Sequence, residues 1–192
     1  LRLFFFFLTF TISFNFSYSQ IIDENLIKLR DSIQKYKEIN PNKALEFSFQ
    51  IINNSNIEAS PFLVGVYSAI GDILNNKNLN GDALSYYSKA LELFKSIPKK
   101  NKIHKKINYP PYTLISIGNI YFKQKNYEKA EEKYLEALDN FKLIKNEKIK
   151  LEGSSTIYDN IGLINTLNKN YKVADSLFEL SYNLRLKQKK DS

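Results

Sequence analysis

The sequence predicts an all-α protein in which antiparallel helix pairs stack side by side as a solenoid. One observation is an internal repeat, because a glycine is followed twelve residues later by an alanine in three places. Another is that apolar residues flank each glycine at three- and four-residue intervals, the spacing of one helix face. A repeat of this length indicates units that cannot bury their apolar faces alone and must stack on their neighbours.

Residues 20–57 predict a degenerate helix pair that caps the N-terminal end of the stack. The first helix lacks the repeat's glycine, and Ser32 stands in its place. Asn40 and Pro41 predict the start of the second helix, because asparagine caps helices and proline needs no N–H partner in the first turn. The apolar face of the first helix comprises Ile22, Leu26, Leu29, Ile33 and Tyr36.

Three glycine-bearing repeats follow, at residues 60–98, 111–146 and 153–190. Ser60 and Pro61 predict the start of the first of them by the same combination of cap and proline. Small residues are expected where two helices approach most closely, since packed helix axes lie about 8–10 Å apart. The predicted packing positions are Gly71, Ala83, Ala90, Gly118, Ala130, Ala137, Gly162 and Ala174.

The central repeat carries a recognisable motif. Its spacing, Leu114-x2-Ile117-Gly118-x2-Tyr121 followed by Ala130-x3-Tyr134, resembles the signature of the tetratricopeptide repeat (TPR) family. The resemblance implies a right-handed superhelix of helix–turn–helix units. It also implies that the first helices of successive units line a concave surface that binds peptides or protein segments.

The pitch of the repeat departs from that family. Gly71 and Gly118 are 47 residues apart, and Gly118 and Gly162 are 44 apart. A standard array repeats every 34 residues or so, about ten fewer. We expect the additional residues to lengthen the second helices and the loops between repeats.

Residues 1–19 have the pattern of a secretory signal peptide. Arg2 precedes an apolar run over residues 3–14, and Ser17 and Ser19 stand at the spacing of a cleavage site. The run is shorter than the ~20 residues of a membrane-spanning helix. A cleaved signal, which would export the chain to the periplasm or envelope of a bacterium, is favoured over an uncleaved anchor or a buried helix.

The signal segment and the extended pitch together resemble the exported N-terminal TPR region of bacterial membrane-bound signalling proteins. That resemblance implies a sensory or interaction region ahead of a transmembrane helix and a kinase or helix-turn-helix output. Because no polar capping helix follows the last repeat, we expect the natural chain to continue beyond Ser192. Membrane association would then come only through a downstream segment or an uncleaved N-terminus. The alternative is a stand-alone envelope scaffold or solute-binding solenoid without signalling output.

The net charge of +8 comes almost entirely from lysine. Because most lysines are interleaved with glutamates, a solvated helix surface is favoured over a nucleic-acid site. The exception is a basic loop over residues 99–110, which holds five lysines between Lys99 and Lys106 without an acidic residue. We favour an exposed solubilising loop, with contact to an acidic partner or an anionic membrane as the alternative.

The sequence offers no constellation of catalytic residues. There is no cysteine, so disulfides and thiolate metal ligands are excluded. His104 is the only histidine and has no companion ligand, and the six glycines form no phosphate-binding loop. We therefore predict no catalytic residue, no metal, no cofactor and no enzyme activity.

The predicted partner is a protein or peptide, bound by polar and amphipathic residues beside the apolar stripe of the first helices. Two acidic residues, Asp72 and Asp159, flanking Lys123 would give a groove of mixed charge, suited to a peptide more than to a polyanion. The alternative is that these are ordinary solvated positions. The candidate groove residues are Asp72, Tyr112, Asn119, Lys123, Asp159 and Asn160.

Overall fold

The computed structural model describes residues 24–54, 60–97 and 109–190. These ranges contain eight α-helices and no β-strand, so the predicted all-α solenoid class is confirmed. The predicted signal segment and most of the basic loop lie outside the described residues. The helices are α1 (Glu24–Tyr36), α2 (Pro41–Ile52), α3 (Pro61–Asn76), α4 (Asn80–Ser96), α5 (Tyr109–Lys123), α6 (Tyr127–Lys142), α7 (Glu147–Leu167) and α8 (Tyr171–Lys190).

The helices pack as four consecutive hairpins. The most extensive contacts join α1 to α2, α3 to α4, α5 to α6 and α7 to α8, and each second helix also packs on the next first helix. In addition, α3 contacts α5 and α5 contacts α7, whereas no comparable contact joins the second helices of the described hairpins. The first helices therefore line an inner surface of the stack, and the second helices form its outer surface.

The core runs continuously through the hairpins. Leu91 on α4 and Tyr121 on α5 pack against both the apolar cluster of the N-terminal half and that of the C-terminal half. Each hairpin thus buries apolar area against the next one, which is how a solenoid distributes its stability.

The starts of the helices follow the predicted caps. The side-chain oxygens of Asn40 and Ser60 accept hydrogen bonds from backbone N–H groups three residues further on, and a proline follows each of them. Asn126 and Asn146 cap α6 and α7 in the same way. These bonds satisfy N–H groups that have no partner within the helix.

The turns inside the three glycine-bearing hairpins share one geometry. Asn78, Lys125 and Lys169 have φ angles of 60°, 60° and 64°, in the left-handed region. In the central turn, the N–H of Asn126 donates to the carbonyl of Tyr121 at 2.9 Å, and the N–H of Lys125 donates to that of Phe122 at 2.9 Å. This is a Schellman ending, and the equivalent pair of bonds recurs in the other two turns. The same turn therefore connects the first helix to the second helix in these three hairpins.

Gly118 on α5 lies directly against the side chain of Tyr134 on α6. A Cβ atom there would stand 2.5 Å from Cε1 of Tyr134, so the tyrosine ring occupies the space of a side chain. Gly71 faces Tyr87, and Gly162 faces Phe178, in the same way. All eight residues of the predicted packing set are buried.

In the N-terminal hairpin, two serines occupy the positions of the glycine and the aromatic residue. Ser32 occupies the glycine position, and the residue opposite, at the place of the aromatic rings, is the buried Ser48. Because no ring lies there, the first helix has no need of a glycine. Ala44 stands at the alanine position of the other repeats and is fully buried, as is the neighbouring core residue Ile33.

The prediction that the extended pitch lengthens the second helix is wrong between Gly118 and Gly162. The second helix α6 has 16 residues, close to the 15 of α5, whereas the following first helix α7 has 21. The cap at Asn146 starts α7 early, ahead of the predicted repeat boundary at residue 153. The additional turns are stabilised by packing, since Leu151 is buried and Gly153 lies against the ring of Phe141.

Candidate functional site

A row of polar side chains joins the first helices along the inner surface. Ser116 on α5 donates from Oγ to Oδ1 of Asp72 on α3 at 3.4 Å. One repeat further, Asn160 on α7 donates from Nδ2 to Oδ1 of Asn119 on α5, also at 3.4 Å. The two bonds have equivalent places in the repeat. In each of them the acceptor directly follows a repeat glycine, and the donor stands two positions before the glycine of the next repeat. We call these four residues, Asp72, Ser116, Asn119 and Asn160, the inner polar row.

Two tyrosines of the second helices hold the acceptors of this row in place. The hydroxyl of Tyr87 donates to Oδ1 of Asp72 at 2.7 Å, and that of Tyr134 donates to Oδ1 of Asn119 at 2.7 Å. The two tyrosines are only 0% and 1% exposed.

Burial also keeps these hydroxyls protonated. It raises the pKa of Tyr134 well above the usual range, and it does the same for Tyr87, where the negative charge of Asp72 adds to the effect. A hydroxyl with a raised pKa remains a donor throughout the physiological range. The two tyrosines are thus fixed donors that orient the acceptors of the inner polar row.

The last hairpin lacks both members of this pair. Leu163 follows its glycine, where Asp72 and Asn119 stand in the earlier repeats, and Phe178 replaces the tyrosine. The hydroxyl and its acceptor are lost together, so no polar atom is left unpaired at this contact. The sequence alone shows that the polar acceptor and the tyrosine are replaced together in this repeat. That correlation was the signal that pairs each tyrosine with its acceptor.

The junction between α3 and α5 holds a second polar contact that sequence reasoning missed. Ser68 and Thr113 are buried, and their hydroxyl oxygens lie 2.9 Å apart. A buried hydroxyl without a partner would be costly, so each of these residues requires the other. The pair fixes the register between two first helices and hence the spacing within the inner polar row.

Asp72 is the charged member of the row. The residue as a whole is exposed, but its carboxyl lies against Tyr87 and Ser116, and burial there raises its pKa. The hydrogen bond from Tyr87, the charge of Lys37 and the bond from Ser116 act in the opposite direction, and Glu38 adds to the increase. Among the described residues no cation forms an ion pair with this carboxylate.

The structure brings together three of the six predicted groove residues, namely Asp72, Asn119 and Asn160. Asp159 pairs instead with Arg185 on α8, because it lies one residue, and therefore about 100° of helix rotation, from Asn160. Lys123 is exposed at the end of α5.

Tyr112 stands at the other end of α5. Its ring packs edge-on against Phe141 with 5.3 Å between ring centroids, and the residue is 39% exposed. Burial, together with the charge of Glu152, raises the pKa of its hydroxyl. Tyr112 therefore serves the packing of the hairpin and borders the inner surface without joining the polar row.

No metal-binding group of three or more histidine, cysteine or acidic side chains occurs in the described ranges. Across the same part of the chain, no helix combines the length and apolar character needed to cross a membrane.

The fold and the repeated contacts define an α-helical solenoid of stacked hairpins. The family model described as "Tetratricopeptide repeat" matches residues 111–142, which cover most of the α5–α6 hairpin. No curated protein matches the sequence.

Two solved structures have a similar fold. The crystal structure of MamA matches with a TM-score of 0.61 and 18% identity, over 86% of this chain and 81% of MamA. The crystal structure of BtubC (BKLC) from P. vanneervenii matches with a TM-score of 0.65 and 20% identity over 85% of this chain. The chain spans 62% of the length of BtubC. At this level of identity the likeness shows the solenoid fold alone.

Proposed function

We propose that this chain is a non-enzymatic scaffold that binds a polypeptide segment along its inner surface. The observation that carries the proposal is the inner polar row, in which two equivalent hydrogen bonds join side chains of α3, α5 and α7. A regular series of such groups matches the regular donors and acceptors of an extended polypeptide backbone.

The row retains hydrogen-bonding capacity for a ligand. Nδ2 of Asn119 and Oδ1 of Asn160 have no partner among the described residues, and both side chains are partly exposed. Their other amide atoms are fixed by the bond between them and by Tyr134, so the free atoms are held ready to bind. Groups that are already ordered lose less conformational entropy on binding, and this favours affinity.

The charges beside the row favour a polypeptide over a polyanion. Asp72 lies within the row, and Lys123 lies at the exposed end of α5, so the surface presents both signs. A nucleic acid would meet an unfavourable carboxylate within this row. The competing site is the lysine-rich loop, whose binding would rest on screened surface charge and would weaken steeply with salt.

The test is selection from a library of random peptides displayed on phage. The wild-type chain should enrich binders, and Asn119→Ala/Asn160→Ala should lose most of that binding while remaining folded by circular dichroism. Glu132→Ala, at an exposed position on α6, is the matched control and should bind as the wild type does. If changing Lys99, Lys100, Lys105 and Lys106 to serine abolishes binding and the Asn119/Asn160 variant retains it, the proposal is wrong.

We further propose that the chain is exported and acts as the sensory or interaction region of a membrane-anchored signalling protein. The support is the sequence of residues 1–19 together with the extended-pitch repeats. Expressed in a bacterium with its natural start, the chain recovered from the envelope fraction should have the mass of a product beginning at Gln20. A cytoplasmic, full-length product would contradict export. An apolar segment and an output domain encoded beyond Ser192 would support signalling over a stand-alone envelope scaffold.

A further inference from the structure

Two residues of the inner polar row perform the same structural task with different charge. Asp72 and Asn119 each follow a repeat glycine, and each accepts a hydrogen bond of 2.7 Å from a buried tyrosine. Each also accepts a bond of 3.4 Å from the next first helix. A neutral amide therefore satisfies every contact that this position makes within the fold. The negative charge of Asp72 goes beyond what packing requires.

That charge is unfavourable for the free protein. The carboxyl is partly removed from water by Tyr87 and Ser116, and burial disfavours its ionised form. Lys37 and Glu38, in the turn that follows α1, act on its pKa with opposite signs and so compensate each other in part. No described cation forms an ion pair with it, and both hydrogen bonds reach Oδ1. Oδ2 is thus left without a hydrogen-bond partner among the described residues, on an exposed residue of the inner surface.

We propose that Asp72 is a specificity-determining residue that binds a lysine or arginine side chain of the polypeptide held by the inner polar row. This inference rests on the proposed function, because it assumes that the row binds a polypeptide. A cationic side chain would supply the charge-assisted hydrogen bond that Oδ2 lacks. Tyr87 and Ser116 hold the carboxylate in a fixed orientation, which favours a ligand cation over a mobile counterion.

The position of Asn119 provides the matched test. Asp72→Asn keeps an acceptor for Tyr87, and Asn119→Asp keeps one for Tyr134, so both variants should fold. The probe is the same library of random peptides, selected on the wild-type chain and on each variant, and then sequenced. A charge-assisted hydrogen bond changes affinity on the order of tenfold or more, and enrichment should follow affinity.

The wild type should select peptides with one lysine or arginine at a fixed position relative to their other shared residues. Asp72→Asn should still select peptides but without this basic position, and one wild-type-selected peptide should bind it about tenfold more weakly. Peptides selected on Asn119→Asp should carry a second lysine or arginine at a fixed position. The inference fails if the basic preference survives in Asp72→Asn, or if the wild type selects peptides without one. If the wild type selects no peptide at all, the proposed function itself fails.

Discussion

The hydroxyl of Tyr134 donates to Oδ1 of Asn119 at 2.7 Å, across the hairpin formed by α5 and α6. The same tyrosine ring fills the space opposite Gly118. One side chain therefore links the glycine contact of the hairpin to the inner polar row. The structure of the repeat and the orientation of the candidate binding residues depend on the same contact.

Asn119 and Tyr134 should be energetically coupled. Tyr134→Phe and Asn119→Leu each remove one partner of the hydrogen bond, and each should cost about 1 kcal/mol of the free energy of unfolding. The double variant reproduces Leu163 and Phe178 of the last hairpin, which needs no hydrogen bond at this place. It should therefore cost less than the sum of the single changes by roughly 0.5–1 kcal/mol. Urea unfolding of the four proteins measures this coupling, and additive costs would show that the bond contributes nothing.

Two glycine-to-alanine substitutions should change the stability of the protein in opposite directions. In Gly118→Ala the new Cβ meets the ring of Tyr134 at 2.5 Å, so the variant should lose about 1–3 kcal/mol of stability. Gly81 lies in the first turn of α4, and no other part of the protein comes within 4 Å of the position of a Cβ there. Gly81→Ala should therefore gain stability from higher helix propensity, by less than the ~1 kcal/mol of a mid-helix position. Thermal and urea unfolding decide this, and a neutral Gly118→Ala would contradict the close approach.

Replacing Lys125 with glycine should increase the stability of the protein. It has a φ angle of 60°, which is unfavourable for a residue with a side chain, and it ends α5 in a Schellman turn. Lys125→Gly should therefore stabilise the protein by about 0.5–1 kcal/mol. Asn78→Gly should gain less, because asparagine already tolerates this conformation. Glu132→Gly, in the middle of α6, is the control and should cost about 1 kcal/mol. A loss of stability in Lys125→Gly would contradict this account of the turn.

The buried tyrosines should make the protein sensitive to alkali. Burial raises the pKa of Tyr87 and Tyr134 in the folded state above the ordinary value of 10.0. A raised folded pKa contributes stability that is present below the unfolded pKa and is lost as pH rises toward the folded pKa. The free energy of unfolding should thus fall above about pH 10.

Tyr134→Phe should make that fall shallower, because one buried hydroxyl no longer titrates on unfolding. Tyr182→Phe changes an exposed residue and should leave the slope as it is. Urea midpoints between neutral pH and about pH 11 provide the measurement. Equal slopes in the wild type and Tyr134→Phe would show that the hydroxyl is solvated in the folded state.

The sequence allowed much of the fold to be predicted because the decisive signals are local. The glycine–alanine spacing identifies where paired helices touch, and Asn40 and Ser60 mark helix starts through bonds only three residues long. The extra length of α7 was missed because capping by Asn146 and packing against Phe141 were not anticipated.

The candidate site could be predicted only in part, because it depends on the register between helices. Asn119 and Asn160 are 41 residues apart in sequence, and their contact follows from the stacking of α5 on α7. Asp159 looked equivalent to Asn160, but one residue of helix rotation directs it to Arg185. The partner of each tyrosine hydroxyl was missed for the same reason, although the joint change to Leu163 and Phe178 contained the signal.

Site-specific photo-crosslinking tests the central claim, that the inner surface binds polypeptide, most directly. A photoreactive amino acid would replace Lys123, exposed at the C-terminal end of the first helix α5, or Leu135, exposed on the second helix α6. Both variants would be irradiated with one peptide selected by the wild-type chain. The account predicts a strong peptide adduct from position 123 and little or none from position 135. An adduct from position 135 with none from position 123 would contradict it.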